Sequence, residues 1–459
     1  MEDTSATKDV QTMLGDPKKA ILLFSIPIAV AFIVQQGNNI VDSIWVTGLG
    51  GSALAALGIV YPIYSIAVSI GNGLGIGAAA SIARNIGKHD RHRASLLASQ
   101  SITMMIIVGV ILTPILLLTA RPLLMIIGAG DAIEDSLAYA YPIYMSTILI
   151  LMSGMLSGIL RGEGAIRKSV YIQILAAIIN LVLDPIFIYT FGWGVAGAAW
   201  ATVIAFAASV ILGLYWYFAK KGMFLELKLS AMRFNISSQK EILNVGLPES
   251  IELIIMSVFN IGNNICVIMI GGTDAVAIYT IGWRLAFILM IPTQALGAAM
   301  VSACSAEFGM KRYDLIYTAY RYSLKLSLIW LIVLSAIMAL GAGYIASAFT
   351  YAPDMLYMHD ETVRMIYSFA VLVPFMALVF TGQALLLSMN RANVTMVSTL
   401  IRNTVLTGSF FVMAYTVGTL GSLWIAMIVS EVFGGFLMAY FAHVVSKGID
   451  LNNRKIIDI

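Results

Sequence analysis

The 459-residue chain has few charged residues and only two cysteines. Asp, Glu, Lys and Arg make up 11% of it, whereas 60% is hydrophobic. A soluble domain is typically about 25% charged, so this composition excludes a soluble enzyme as well as a disordered or fibrous protein. Cys266 and Cys304 both lie in apolar runs, so no disulfide framework is expected. What remains is a helical membrane protein, because the apolar stretches are continuous rather than alternating.

The sequence also lacks the motifs of nucleotide hydrolysis and of catalysis. It contains no Gly-x-x-x-x-Gly-Lys-[Ser/Thr] segment, which argues against ATP-driven transport within this chain. No Ser/His/Asp arrangement or metal-binding cluster supports catalysis, so we expect no enzymatic activity, no organic cofactor and no nucleic-acid partner. The glycines at 71, 73, 75 and 77 follow no strand, which favours close helix packing over a nucleotide loop.

Long apolar runs are abundant, and each needs about 20 residues to cross a bilayer. They predict an all-α polytopic membrane protein with twelve transmembrane helices. Short Gly-rich segments separate several neighbouring helices. The predicted limits are 20–47, 53–83, 94–118, 136–160, 169–190, 195–218, 241–270, 274–305, 315–343, 362–388, 394–416 and 422–444.

The basic residues are distributed very unevenly along these helices. Of the 27 Lys and Arg residues, 22 lie at or near the two termini or the loops that follow predicted helices 2, 4, 6, 8 and 10. Positive charge collects on the cytoplasmic side of a membrane protein. The pattern therefore predicts a multi-pass protein of the cell (plasma or inner) membrane, with both termini in the cytoplasm.

The second half of the chain repeats the first at an offset of about 221 residues. Pro27 corresponds to Pro248, and the glycine pair 50–51 corresponds to 271–272. Each half contains six helices, so a pseudo-twofold axis along the membrane normal should relate them, as in many transporters. The predicted domains are an N-terminal lobe at 1–219, a cytoplasmic linker at 220–240 and a C-terminal lobe at 241–459.

Helix 1 carries a polar face, which must contact protein or water rather than lipid. A similar face in helix 5 holds Asn180 and Asp184, followed by Pro185, which should bend the helix. Asp42, Asp184 and Thr202 lie roughly 8, 9 and 12 Å from the outer ends of their helices, so one chamber can hold all three. The helix 1 stripe, spaced i, i+3, i+7 and i+10, comprises Gln35, Asn38, Asp42 and Trp45.

Carboxylates at this depth are costly, roughly 2.5–3.5 kcal/mol, and mark functional sites by default. No Lys or Arg lies at the same depth in the first half, so the two acids can take up a proton or hold Na⁺. The repeat counterpart of Asp42 is Asn263, which indicates that coupling resides in the first half. The predicted set for proton or cation coupling is Asn38, Asp42, Asn180, Asp184 and Thr202.

The second half has its own intramembrane charges. Arg284 and Glu431 fall at a similar depth and are expected to pair, with Arg402 joining them or reaching the interface. Glu252 has no evident basic partner and is the best functional candidate there. The residues expected to contact substrate are Gln35, Trp45, Glu252, Met256, Asn263 and Arg284.

Seven segments of the sequence form a recognisable pattern, at 14–17, 26–27, 41–50, 83–87, 160–164, 180–185 and 306–309. Together they resemble the multidrug and toxic compound extrusion (MATE) family over nearly the whole chain. The resemblance implies a cation-coupled antiporter with two six-helix lobes that expels amphipathic, often cationic organic compounds. It is strongest to the branch with acids in helices 1 and 5, which respond to H⁺ or Na⁺ and match Asp42 and Asp184. Met256 departs from relatives that have an acid there.

The favoured function is secondary active export of small organic compounds by a monomer in the bilayer. A lipid-linked oligosaccharide flippase of the wider superfamily is the alternative, although it usually needs a cationic cavity and often has fourteen helices. A membrane-embedded prenyl or acyl transferase would need Asp-rich or His motifs, which are absent. A receptor or channel fits the composition, but the duplicated lobes argue against it.

Overall fold

In a computed structural model the chain is almost entirely α-helical. The structure describes residues 7–220, 222–351, 353–447, 449–450 and 455–456. The helices within them are α1 (Lys8–Leu14), α2 (Pro17–Thr47), α3 (Gly51–Gly87), α4 (Arg91–Ile127), α5 (Ile133–Met145), α6 (Thr147–Gly162), α7 (Ile166–Pro185), α8 (Gly194–Phe218), α9 (Ile236–Gly309), α10 (Tyr313–Leu340), α11 (Ala342–Phe349), α12 (His359–Leu372), α13 (Met376–Ser388), α14 (Ala392–Thr416) and α15 (Leu420–Lys447).

Short segments complete the secondary structure. A π-helical turn follows α7 at Ile186–Thr190, and 3₁₀ turns lie at Gly130–Ala132, Leu229–Met232, Pro353–Met358 and Val373–Phe375. Strands β1 (Ile449–Asp450) and β2 (Lys455–Ile456) form an antiparallel pair with Ile449 opposite Ile456. This small pair is an addition to the all-helical fold that was predicted.

The prediction of twelve spans is confirmed for the described part of the chain. The 74-residue α9 would be about 111 Å long, far more than a bilayer needs, and it breaks at Gly272 (φ 64°, ψ −155°) into two spans. α5 and α6 form one span with a 53° bend, and α12 with α13 forms another. The remaining eight are α2, α3, α4, α7, α8, α10, α14 and α15.

Helix ends follow local chemistry. Asp16 accepts a hydrogen bond from the Lys18 backbone N–H (2.9 Å) and caps α2, while Pro17 occupies the first turn, where no N–H is needed. α4 continues to Ile127, so the predicted end at 118 was wrong. Pro122 lies within this extension and the helix continues through it.

The chain divides into two compact units. The first runs to Ile251 and includes Ser305–Met310, and the second holds Glu252–Cys304 and the chain from Lys311 onward. In the first unit, α3 and α6 approach so closely that a Cβ on Gly75 would lie 2.7 Å from the Gly154 carbonyl oxygen. The close packing predicted for the glycines of helix 2 is therefore confirmed.

The segment between α8 and α9 is held against α4 by hydrogen bonds. Gln100 of α4 donates to the carbonyl oxygens of Ala231 and Arg233, both at 2.6 Å, and Thr103 donates to that of Met232 at 3.0 Å. α9 then begins at Ile236. The last five residues of the predicted linker are therefore helical.

The second unit has an aromatic core. Tyr279 of α9 stacks on Trp424 of α15 with ring centroids 6.0 Å apart and an interplanar angle of 8°. Phe369 and Phe410 are fully buried in the same cluster. Apolar packing between α9, α12, α14 and α15 therefore forms the core of the second unit.

Candidate functional site

The predicted coupling residues of the first unit meet in one hydrogen-bonded network between α2, α7 and α8. Asn38 donates to Asp42 Oδ2 (3.1 Å) and to Asn180 Oδ1 (2.7 Å). Asn180 in turn donates to Asp184 Oδ1 (3.1 Å) and lies 3.4 Å from Thr202 Oγ1. All five residues predicted from helical periodicity and depth are therefore contiguous.

The two acids of this network are in direct contact. The Asp42 and Asp184 side chains lie within hydrogen-bonding reach of each other. Asp184 is only 2% exposed, whereas Asp42 is half-buried. The sequence has no Lys or Arg between residues 20 and 83 or between 169 and 219. A proton or a cation is therefore needed to relieve the repulsion of the two charges.

Oxygen atoms in the chamber remain available to a ligand. Asp42 Oδ1 and Asn38 Oδ1 are buried and accept no hydrogen bond. Carboxylate, amide and hydroxyl oxygens are the donors that hard cations prefer. Asp42, Asp184, Asn38 and Thr202 are thus the residues that can hold Na⁺, and the two carboxylates alone are sufficient for a proton.

Sequence reasoning missed two tyrosines at this site. Tyr64 of α3 lies close enough to Asp42, and Tyr139 of α5 close enough to both acids, to interact with them electrostatically. Both rings are half-buried and pack against neighbouring apolar clusters of the first unit. No polar stripe accompanies either residue in the sequence, so periodicity gave no signal for them.

The two substrate candidates of helix 1 differ in their environment. Gln35 is exposed, whereas Trp45 is half-buried and packs edge-on against Tyr189 with ring centroids 6.2 Å apart. Tyr189 also donates a hydrogen bond to the Trp45 carbonyl oxygen. Because Tyr189 belongs to the π-helical turn after Asp184, this contact connects the C-terminal part of α2 to the end of α7.

In the second unit, two predicted substrate residues on α9 contact α14. Glu252 Oε1 accepts hydrogen bonds from Thr399 (2.7 Å) and from Gln383 of α13 (2.9 Å). Asn263 Oδ1 accepts one from Thr407 at 2.7 Å. Both acceptors are at least 95% buried. The remaining two candidates, Met256 and Arg284, have exposed side chains.

The expected pairing of Arg284 with Glu431 was wrong. Glu431 pairs with Arg402 of α14 at 3.3 Å, and both side chains are buried. Arg402 also lies close enough to Glu252 to attract it, so this acid does have a basic neighbour. The depths of these residues were similar, but the rotation of each helix about its own axis decides which of them meet.

Another buried acid, Glu163, lies outside the predicted site, in the turn between α6 and α7. Glu163 accepts hydrogen bonds from the Tyr217 hydroxyl (2.7 Å) and from the backbone N–H groups of Leu225 (3.1 Å) and Phe224. Burial raises the pKa of this carboxyl from 4.5 to about 7, against the opposing effects of these hydrogen bonds and of Lys168. Glu163 thereby fixes the segment that follows α8.

Twelve spans within the described residues, arranged in two sequence-related halves of which one holds a pair of contacting acids, are typical of a membrane transporter of the duplicated type. A sequence model of the MatE family matches twice, at residues 27–186 and 248–416. The chain therefore belongs to the MatE family and is a MATE transporter. The two matches begin 221 residues apart, which confirms the predicted repeat.

Curated relatives and solved structures agree with this assignment. The multidrug export protein MepA of Staphylococcus haemolyticus is 21% identical and covers 96% of both chains. A FAD transporter of Shewanella oneidensis is 28% identical over 76% of this chain and 78% of its own. A MATE transporter crystallised with MaL6 is 30% identical, with a TM-score of 0.93 over 96% of this chain and 99% of its own.

Proposed function

We propose that this MATE transporter is a secondary active antiporter. It exports amphipathic, often cationic organic compounds in exchange for H⁺ or Na⁺ by alternating access, as a monomer in the cell membrane with both termini in the cytoplasm. The basic loops support the orientation. The name of the MepA relative supports multidrug export.

The observation that carries the proposal is the contact between Asp42 and Asp184 in a part of the chain without Lys or Arg. With the chamber open to the outside, a proton or Na⁺ binds between the two carboxylates. The hydrogen bonds of Asn38 and Asn180 then rearrange, because one acceptor has become neutral or bound to the ion. Since Asn38 connects α2 to α7, this event changes how α2 packs against α7.

Pro27 gives α2 a place to bend during this rearrangement. It lies within the helix, three turns before Asn38, where its ring removes one backbone hydrogen bond. Bending of α2 would change the chamber and weaken the binding of substrate. Substrate then leaves outward, and release of the coupling ion inward completes the cycle.

Charge distinguishes the possible substrates. The acidic chamber of the first unit favours cationic compounds and disfavours a dinucleotide such as FAD, the substrate named for one relative. A lipid-linked oligosaccharide flippase would need free cations for the pyrophosphate. Arg402, the buried cation of the second unit, is instead paired with Glu431.

Transport by reconstituted protein tests the proposal. A fluorescent organic cation should leave proteoliposomes when either an H⁺ or an Na⁺ gradient is imposed separately. Asp42→Asn and Asp184→Asn should each reduce gradient-driven efflux at least tenfold, because a carboxamide neither takes up a proton nor carries the charge that binds Na⁺. Radiolabelled FAD serves as the anionic comparison substrate.

The exposed acid Asp131 provides the matched control, since Asp131→Asn makes the same chemical change outside the chamber. This variant should transport at the rate of the wild type. Efflux at the wild-type rate in both Asp42→Asn and Asp184→Asn would refute the assignment of the coupling site.

A further inference from the structure

Two basic side chains of α10 are exposed just before the long uncharged part of this helix. Arg321 and Lys325 are one turn apart and exposed, and residues 326–353 contain no charge. Among the described residues, neither cation has a carboxylate within ion-pair distance. Asp314, on the same face, lies about 10 Å closer to the aqueous end. The Arg321 guanidinium instead lies 5.8 Å from the centroid of the Tyr317 ring.

The same face of α10 continues into an apolar groove. The groove lies between α10 and the end of α12 and has a volume of about 290 Å³. At 100° per residue, Ile332 and Ala339 fall within about 20° of Arg321 around the helix axis. The side chains that line the groove include Ile332, Ser335, Ala339, Tyr367, Val371 and Pro374.

The groove also holds an unsatisfied polar atom. Ser335 is 4% exposed, and its hydroxyl oxygen has no hydrogen-bond partner. Along the axis, the groove begins about 10 Å beyond Lys325 and ends about 21 Å beyond it. This is the depth at which the distal half of a lipid acyl chain lies when its phosphate is level with Lys325.

The counterpart of this α10 surface in the first half of the repeat lies on α4. At the offset of 222 that relates Gly87 to Gly309, Arg321 and Lys325 correspond to Ser99 and Thr103 of α4. Ser99 accepts a hydrogen bond from the backbone N–H of Lys228, and Thr103 donates one to Met232. The chain itself therefore covers this face of α4 with neutral contacts, whereas the α10 face is exposed and cationic.

We infer that an anionic phospholipid binds to this face of α10, with its phosphate at Arg321 and Lys325 and one acyl chain in the groove. Charge complementarity selects an anionic headgroup, and the apolar groove in line with the cations selects a molecule with an acyl chain. By the orientation proposed above, the lipid belongs to the cytoplasmic leaflet. The inference requires the membrane location but not the antiport mechanism.

Lipid retention by the purified full-length protein tests this inference directly. Detergent-solubilised protein is titrated with dioleoylphosphatidylglycerol or dioleoylphosphatidylcholine, and retained lipid is counted by native mass spectrometry. The wild type should retain the anionic lipid at least fivefold more tightly. Arg321→Gln with Lys325→Gln should remove this preference, because each cation near a membrane surface contributes about fivefold to the binding of an anionic lipid.

Two further variants separate the site from general lipid adhesion. Lys88→Gln with Lys220→Gln removes two other exposed cations and should leave the preference unchanged. Ala339→Phe fills the groove and should weaken both lipids equally. The inference is overturned if the wild type retains both lipids equally, as for adventitious annular lipid, or if Arg321→Gln with Lys325→Gln keeps the preference.

Discussion

At the scale of single residues, Glu163 provides a stability change with a defined pH window. The pKa of Glu163 is about 7 in the folded protein and 4.5 in the unfolded chain, so the folded state keeps this proton to a higher pH. Between these values the folded state binds more protons, so the free energy of unfolding falls as the pH rises, by about 3 kcal/mol in total. Glu163→Gln has no proton to lose and should lack this dependence.

The unfolding midpoint in detergent, measured for both proteins from pH 4.5 to 8, checks this expectation. The wild type should lose stability relative to Glu163→Gln as the pH rises to about 7, and the difference should be constant above that value. Asp131→Asn, a change at an exposed acid, should follow the wild type. A constant difference between wild type and Glu163→Gln at every pH would contradict the prediction.

The residues that meet around Asp42 and Asp184 were predictable where a helix carries a polar stripe. Asn38 and Asp42 are one turn apart, as are Asn180 and Asp184, so periodicity places each pair on one face. Tyr139 lies near the two acids only because α5 packs against α3 and α8, and no residue near it in the sequence signals this. The partner of Glu431 was likewise unpredictable, because the depth of a residue in the membrane does not determine how its helix is rotated about its own axis.

At the scale of secondary-structure elements, composition predicted where most spans lie but not where they break. The turn at Gly272 was predictable, since a glycine pair follows an apolar run. The break between α5 and α6 was not predicted, although Pro142 removes one backbone hydrogen bond in the preceding turn. The Ser146 hydroxyl there donates to the carbonyl oxygens of Pro142 and Ile143, which stabilises the bend through interactions that apolar periodicity does not report.

The packing of α3 against α6 predicts opposite effects for two similar substitutions. A Cβ at Gly158 would collide with the carbonyl oxygen of Gly75, so Gly158→Ala must separate the helices and should cost about 1–3 kcal/mol. Gly58 lies in α3, as Gly75 does, but a Cβ added there meets nothing within 4 Å. Gly58→Ala should therefore leave stability unchanged or raise it by about 0.5–1 kcal/mol.

Unfolding midpoints of the two variants, purified in the same detergent, provide the comparison. Gly158→Ala should unfold several degrees below the wild type, and Gly58→Ala at or above it. Equal midpoints for the two variants would show that the close approach of α3 and α6 does not limit stability.

At the scale of the whole molecule, a duplicated scaffold carries different chemistry in its two halves. In the first unit the two contacting acids lie in stretches of helix without Lys or Arg, whereas in the second unit Arg402 pairs with Glu431 and lies near Glu252. Asn263, at the position equivalent to Asp42, is buried and accepts a hydrogen bond from Thr407. We therefore expect the first half to couple the ion and the charges of the second half to maintain its packing.

This division predicts that stability and coupling respond to different substitutions. Arg402→Gln leaves two buried acids without their cation and should cost about 3–5 kcal/mol, whereas Glu431→Gln leaves Arg402 beside Glu252 and should cost less. Folded Glu431→Gln should retain gradient-driven efflux in proteoliposomes. Asp42→Asn should show the opposite pattern, with the unfolding midpoint maintained and gradient-driven efflux lost. If folded Glu431→Gln transported substrate without any response to the gradient, coupling would involve both halves, because the loss of a purely structural ion pair does not uncouple transport from the gradient.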